Sequence, residues 1–471
     1  MTTINWMEEV LKRKGELLKD TQSFLQIKSV LEEETASETA PFGEGIEEAL
    51  QYLLKKGEID GFTVKNVDHY AGHIELGQGE DIVGVLCHVD VVPEGDGWTS
   101  DPYSAEIRDG KIFARGAMDD KGPTMAAYYA LKIVKELDLP LSKRVRIIIG
   151  TDEESSWKCV DHYFKHEAMP TLGFAPDADF PIIYAEKGIG DIQLSFKPVQ
   201  TGSKEEGTTL LSFSSGRRLN MVPDMATATV QESGELSGLS SAFQAYLDKV
   251  ELEGGYVKEG NAITFNFKGV SAHAMEPNNG VNAGYHLATF LSEQELDQNG
   301  KNFVQFVTDK LAFDSRGEKL DINFTDDITG DLTINTGIFS YSVENGGKLG
   351  VNIRFPVTCD TDEVKQKLVE SSAKYGMEVT KYAVSKAHHV PQDHPLIQTL
   401  QKVYEDQTGE KAELLSIGGG TYARSLEAGV AFGPLFPGRA DVAHQKDEHI
   451  FVEDLLKATA IYAQAIYELA K

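Results

Sequence analysis

The chain has 471 residues, 41% of them hydrophobic, and its 45 basic and 74 acidic residues leave a formal net charge of −29. That length exceeds what one hydrophobic core usually serves, so two domains are expected, and the charge argues against nucleic acid and anionic membranes while leaving metal ions and cationic groups as partners. No stretch approaches the ~20 apolar residues of a membrane span; Met1-Thr2-Thr3-Ile4-Asn5-Trp6 lacks the basic-then-apolar pattern of a secretory signal, and Cys87, Cys159 and Cys359 are too scattered for a disulfide framework, so a cytoplasmic protein is expected.

Along the first part of the chain, helical and strand patterns alternate. Glu8 to Leu25 carries Val10, Leu11, Leu17, Leu18 and Phe24 at helical spacing, and Ile46 to Leu54 has a second apolar face. The run from Ile82 to Cys87 is apolar on both faces, as in a central strand covered by helices. If that run is extended, Cys87 faces away from the neighbouring His88 and is a small buried hydrophobe. A helix over Thr124 to Leu137, a strand over Val145 to Ile149 and a short strand over Leu172 to Ala175 follow. The alternation predicts an α/β sheet with helices on both faces.

Near residue 190 the pattern changes. Asp191 to Phe196, Thr208 to Phe213, Ala226 to Gln231 and Ala262 to Phe267 alternate apolar and polar side chains, as in sheets with one wet face. Helices are expected at Ser240 to Val250, Ala283 to Leu291 and Glu363 to Tyr375, with strands at Leu332 to Ile338 and Leu349 to Phe355. The α/β pattern then returns in a helix from Pro395 to Thr408, a strand from Val430 to Gly433 and a last helix from Val452 to Ala470. The expected organisation is a mixed-sheet α/β domain over residues 1–189 and 385–471, interrupted at 190–384 by an α+β lid domain, itself built as two subdomains.

The side chains able to do chemistry stand just past the predicted strands of the α/β part. His88 and Asp90 follow one strand, Glu153 and Glu154 another, Asp177 a third, and His444 a fourth, while Asp119 lies in Arg115-Gly116-Ala117-Met118-Asp119-Asp120-Lys121-Gly122. Ligands of open α/β sheets bind at the carboxyl ends of strands. His88, Asp119, Glu154, Asp177 and His444 suit two zinc ions if one carboxylate bridges them, with cobalt or manganese as possible substitutes. Asp90, two residues after His88, can hold the imidazole N–H; a solvated aspartate at a strand end is the alternative. Because successive side chains diverge, one of Glu153 and Glu154 can bind metal while the other faces the cleft as a base.

These segments resemble the di-zinc exopeptidase family that includes carboxypeptidase G, aminoacylase, succinyl-diaminopimelate desuccinylase and carnosinase. Chain length, Gly116 to Pro123 and Ile417 to Arg424 are most similar to its dipeptidase members from lactic acid bacteria. The resemblance implies that His88 and Asp177 hold one metal, Glu154 and His444 the other, and Asp119 bridges them. It implies Glu153 as general base, Asp90 as partner of His88, and a cis peptide after Asp119. Within the insertion it implies that His273, in Gly269-Val270-Ser271-Ala272-His273-Ala274, polarises the scissile carbonyl, and that Asn220 and Arg354 hold substrate. Arg354 has the planar fork that suits a carboxylate, a surface ion pair being its alternative. Backbone N–H groups of Gly418, Gly419, Gly420 and Thr421 are candidates for the same carboxylate, although glycine runs also make plain turns. The remaining histidines, including His388, His389 and His394, match no ligand motif.

The expected activity is hydrolysis of dipeptides with a free amino terminus, by zinc-activated water with Glu153 as base and His273 stabilising the oxyanion. Domain closure is expected, because His273 and Arg354 lie in the insertion and the metal ligands outside it. The long insertion predicts a monomer, since family members with shorter ones borrow the lid histidine from a second subunit. An N-acyl amino acid deacylase and a non-catalytic metal-dependent binding protein are the competing readings.

Overall fold

Every residue of the strand Ile82–His88 is buried. In the computed structural model, which describes residues 4–199, 208–232 and 237–471, this strand lies at the centre of a mixed sheet. Met1 to Thr3, part of the N-terminal segment considered above, lie outside the described residues. By internal contacts the chain forms two units: Met1–Ala185 with His389–Ser416 and Gly420–Lys471, and Glu186–His388 with Ile417–Gly419.

In the first unit the strands run in the order Thr63–Val67, Ala71–Leu76, Arg144–Gly150, Ile82–His88, Leu172–Ala175, Gly429–Ala431, Ile182–Glu186. Pairing from Arg144–Gly150 through Gly429–Ala431 is parallel, and the flanking pairs are antiparallel. The α/β, mixed-sheet expectation therefore holds. Helices cover both faces. A Cβ on Gly57, in the helix Glu44–Ile59, would meet the Ile74 side chain at 3.1 Å, whereas the adjacent His73 hydrogen-bonds Tyr163 of the helix Lys158–His166. Neighbouring strand residues point to opposite faces, so these two helices sit on opposite sides. Trp6–Leu25, Lys121–Glu136 and Val452–Ala470 pack on one another. The first begins where Asn5 accepts from the Glu8 N–H, two residues before the predicted start of its apolar periodicity. Among the described residues no helix is long and apolar enough to cross a membrane. All three cysteines are free, and Cys87 is buried.

In the second unit a single antiparallel sheet runs Gly254–Glu259, Ala262–Lys268, Met225–Glu232, Thr208–Ser215, Thr333–Ser342, Gly346–Phe355, Gly188–Phe196, Met377–Ser385. One continuous sheet thus runs through this unit. Helices Ala283–Ser292 and Gln298–Lys310 pack together, burying Leu287, Phe290, Phe303 and Phe306 in a hydrophobic cluster with Phe213 and Phe339. Gly188–Phe196 alternates strictly between buried and half-exposed residues, which is the one-wet-face pattern read from the sequence.

Candidate metal centre

The parallel strands Ile82–His88, Arg144–Gly150 and Leu172–Ala175 are adjacent, so the residues that follow them emerge at one edge of the sheet. His88 ends the first, Glu153 and Glu154 follow the second, and Asp177 follows the third. Asp119 precedes the helix Lys121–Glu136, and its peptide bond to Asp120 is cis. The loop to Asp119 needs two glycines. Gly116 has φ +84, and a Cβ on Gly122 would sit 2.0 Å from the Ala117 carbonyl oxygen.

The side chains form two donor groups, His88 with Glu153 and Asp177, and Asp119 with Glu154 and His444; in each, one ligand atom per residue lies within 4.8 Å of the others. The Asp119 carboxylate reaches both groups. Its Oδ1 lies 3.0 Å from His88 Nε2 and its Oδ2 lies 3.0 Å from His444 Nε2. Glu154 Oε1 is 2.9 Å from the same His444 nitrogen, and Asp177 Oδ1 is 3.7 Å from His88 Nε2. His444 adopts the left-handed backbone region at φ 61, which non-glycine residues seldom occupy.

The donor chemistry fits two divalent transition cations. His88 Nε2 is buried and has no hydrogen-bond partner, although two carboxylate oxygens lie near it, so it is a lone pair or N–H aimed into a converging set of donors. Charge crowding acts in the same sense. Burial first, then the negative charge of Asp119, pushes Asp177 up to about 6 and Glu154 up to about 7. Burial also raises Glu153 well above the usual carboxylate range, with Asp177, Glu154 and Asp119 adding to the rise against an opposing pull from His88. Hydrogen bonds that His444 donates to the Asp119 and Glu154 carboxylates lift its pKa to about 11.

Asp90 meets the His88 imidazole through both its carbonyl and its carboxylate. His88 Nδ1 is 2.9 Å from the Asp90 carbonyl oxygen and 3.4 Å from its carboxylate. The buried carboxylate also accepts from the backbone N–H groups of Glu153 and Glu154, at 3.1 and 3.0 Å. It therefore orients the loop bearing both glutamates, and the backbone of the same residue steadies the imidazole.

In the second unit, Met221 and His273 form an isolated antiparallel bridge, and the Ala274 N–H donates to the Asn220 carbonyl at 2.9 Å. His273 Nδ1 accepts from the Met275 N–H at 3.1 Å, so the neutral ring carries its proton on Nε2. Desolvation first, and then the Arg354 guanidinium, lowers the His273 pKa and favours this neutral form. Arg354 is buried; its Nε donates to Asn352 Oδ1 at 2.8 Å and its Nη1 to the Gly418 carbonyl at 3.0 Å. In this structure Gly418 thus meets Arg354 through its carbonyl. In the first unit, the Thr421 hydroxyl accepts from the Ala423 N–H at 3.2 Å, and a Cβ on Gly420 would collide with Arg424.

A family model described as peptidase family M20/M25/M40 matches residues 84–468. The chain belongs to that family. It is 59% identical over 468 residues to "Putative dipeptidase YtjP" of Bacillus subtilis, covering 99% of this chain and 100% of that one. It is 44% identical to "Putative dipeptidase SH1171" of Staphylococcus haemolyticus, covering 98% and 99%. Human carnosine dipeptidase 1 shares the fold at TM-score 0.55 and 16% identity, covering 98% of each chain. Aminopeptidase PepT of Bacillus cereus does so at TM-score 0.58 and 16% identity, covering 97% and 99%.

Residues given no role from sequence complete the surroundings in this M20 peptidase. Glu448 is fully buried; its carboxylate accepts from Arg115 Nη1 at 2.5 Å and from the N–H groups of Gly116, Met118 and Asp119. It thereby holds the loop that presents Asp119. The Asp120 carboxylate accepts from the His88 N–H and the Thr124 hydroxyl, and the Tyr422 ring stands edge-on to the His88 imidazole. Asp-Glu after the late histidine and Arg before the glycine loop stand in motifs, but their pairing joins residues 333 positions apart. Glu448→Ala leaves the Arg115 charge buried and unpaired, so it is expected to destabilise the protein by about 3–5 kcal/mol. Denaturant unfolding of Glu448→Ala and of an Arg115→Met, Glu448→Leu double variant checks this, with the double variant expected to recover much of the loss.

Proposed function

We propose that this M20 peptidase hydrolyses dipeptides with a free amino terminus, using two zinc ions for which cobalt or manganese can substitute, and that it works as a cytoplasmic monomer. The observation that carries the reading is the Asp119 carboxylate, one oxygen 3.0 Å from His88 and the other 3.0 Å from His444, as a bridge between two cations requires. The dipeptidase names of relatives matched over nearly the whole chain support the substrate class.

In this reading His88 and Asp177 hold one ion, Glu154 and His444 the second, and Asp119 is shared. Bound there, the ions would supply Lewis-acid polarisation and lower the pKa of water. Glu153 carries no metal; its carboxylate takes the proton from the attacking water and returns it to the departing amine. Burial raises its pKa, which suits it to hold the proton between the two steps. His273 contributes its Nε2–H to the oxygen of the attacked carbonyl, a form favoured by its lowered pKa. Asn220, Arg354 and the backbone of Gly418, Gly419, Gly420 and Thr421 are assigned to substrate binding, with the Arg354 fork matched to the carboxylate end of a dipeptide.

A panel of Ala-Ala-type dipeptides and N-acetyl amino acids, assayed before and after chelation, tests the reading. Zinc-dependent cleavage of the free-amino dipeptides is expected to exceed that of the acyl compounds; faster cleavage of the N-acetyl substrates would assign the protein as a deacylase, and cleavage of neither would leave a binding protein. The monomer proposal rests on an insertion large enough to carry its own lid residues. Light scattering of active enzyme is expected to return the mass of one 51.7 kDa chain; a dimer whose dissociation abolishes activity would refute it.

A further inference from the structure

Outside the centre just described, the first unit holds a third convergence of donor atoms. The hairpin between strands Thr63–Val67 and Ala71–Leu76 turns through Asp68 and His69, both at positive φ, and Asn66 Oδ1 accepts from the His69 N–H at 2.7 Å to fix the turn. Facing it is the helix Lys158–His166, on which His162 and His166 stand four residues apart and hence on one side. One ligand atom from each of Asp68, His162 and His166 lies within 4.8 Å of the others.

Asp68 Oδ2 is 2.9 Å from His162 Nε2. That contact alone would be a surface ion pair of little consequence. His166 makes it more than a pair. Its ring centroid lies 4.3 Å from that of His162, so a second imidazole converges on the same carboxylate. The rings are already oriented: His162 stacks on Tyr70 at 4.4 Å, and His166 Nδ1 is 2.9 Å from the His162 carbonyl, a contact that as a donor leaves Nε2 with its lone pair. Access is open, with 67% of the Asp68 and 26% of the His162 side chain exposed.

We propose that Asp68, His162 and His166 form a third divalent-cation site, specific for zinc and similar transition ions, separate from the two-ion centre. Two imidazoles and one carboxylate select zinc, nickel or copper over calcium and magnesium, which prefer all-oxygen shells. Three protein donors leave the fourth tetrahedral position to water. A cation here ties the hairpin to a helix whose first turn is bound to Asp152, through the Lys158 N–H at 2.9 Å and the Trp157 N–H, next to Glu153 and Glu154. Its place is thus that of a clip on the segment carrying the two glutamates.

The test is calorimetric titration with zinc chloride of full-length enzyme whose two-ion centre is already zinc-loaded, using wild type, His166→Gln and Asp68→Asn. Glutamine at 166 keeps a donor for the His162 carbonyl, and both positions are surface sites outside the catalytic residues, so peptidase activity at saturating metal is expected to stay at the wild-type level. Wild type is expected to take up one further zinc per chain. Both variants are expected to bind it on the order of 100-fold more weakly or not at all, since removing even an outer partner of a ligand costs about 10–100-fold. No further equivalent in wild type, or an extra equivalent that survives in either variant, overturns the proposal.

Discussion

Replacing Glu153 by alanine is expected to lower dipeptide turnover on the order of 10²–10⁴-fold, the usual contribution of a positioned general base, while two equivalents of zinc remain bound. The separation of the two readouts follows from geometry. The two oxygens of the Asp119 carboxylate lie against His88 and His444, Glu154 against His444 and Asp177 near His88, so each proposed ion keeps its donors without Glu153. Atomic absorption and steady-state kinetics on one preparation measure both. Loss of one zinc in the variant would make Glu153 a ligand, which its position beside His88 and Asp177 also permits; near-wild-type turnover would remove it from the reaction altogether.

Asp119→Ala is expected to act on metal and activity together. One carboxylate stands between the two histidines, so its loss takes a donor from both ions at once and leaves His88 with Asp177, at 3.7 Å, and the Glu153 carboxylate. Zinc content is expected to fall from two towards zero per chain after dialysis, with activity falling by orders of magnitude. Glu154→Ala is the comparison, because it strips only the His444 group and is expected to leave the first ion in place. Equal retention of both ions in Asp119→Ala would rule out the bridge.

The hydrophobic periodicity was strong wherever an element is buried on a defined face. Leu172–Ala175, Pro395–Thr408 and Val452–Ala470 have the limits expected from sequence, and Ile82–His88 extends its predicted run by one residue. Edge elements were harder. The strands Thr63–Val67 and Gly254–Glu259 are largely exposed, so they carry little apolar alternation to read. The helix Gln298–Lys310 begins with polar residues and confines its buried Phe303, Val304, Phe306 and Val307 to a little over one turn, too short a stretch of i, i+3, i+4 spacing to mark the whole helix. His162 and His166 carry no sequence signal for a related reason: a helix of so few residues, with a hairpin turn far away in sequence bearing Asp68, offers no motif.

By itself the sequence determined the family, the α/β architecture with an interrupting antiparallel part, and the small set of carboxylates and histidines at strand ends, because burial patterns and motif spacing are local properties of the chain. Only the tertiary structure decided how those groups divide the work of position. It set the two oxygens of Asp119 against separate histidines, gave the Asp90 carboxylate to the Glu153 and Glu154 backbone, and buried Glu448 against Arg115 beneath the Asp119 loop. These contacts join residues tens to hundreds of positions apart, and their geometry comes from the register of adjacent parallel strands and from helix packing. No local pattern encodes a separation of 3 Å between such groups; the packed sheet does.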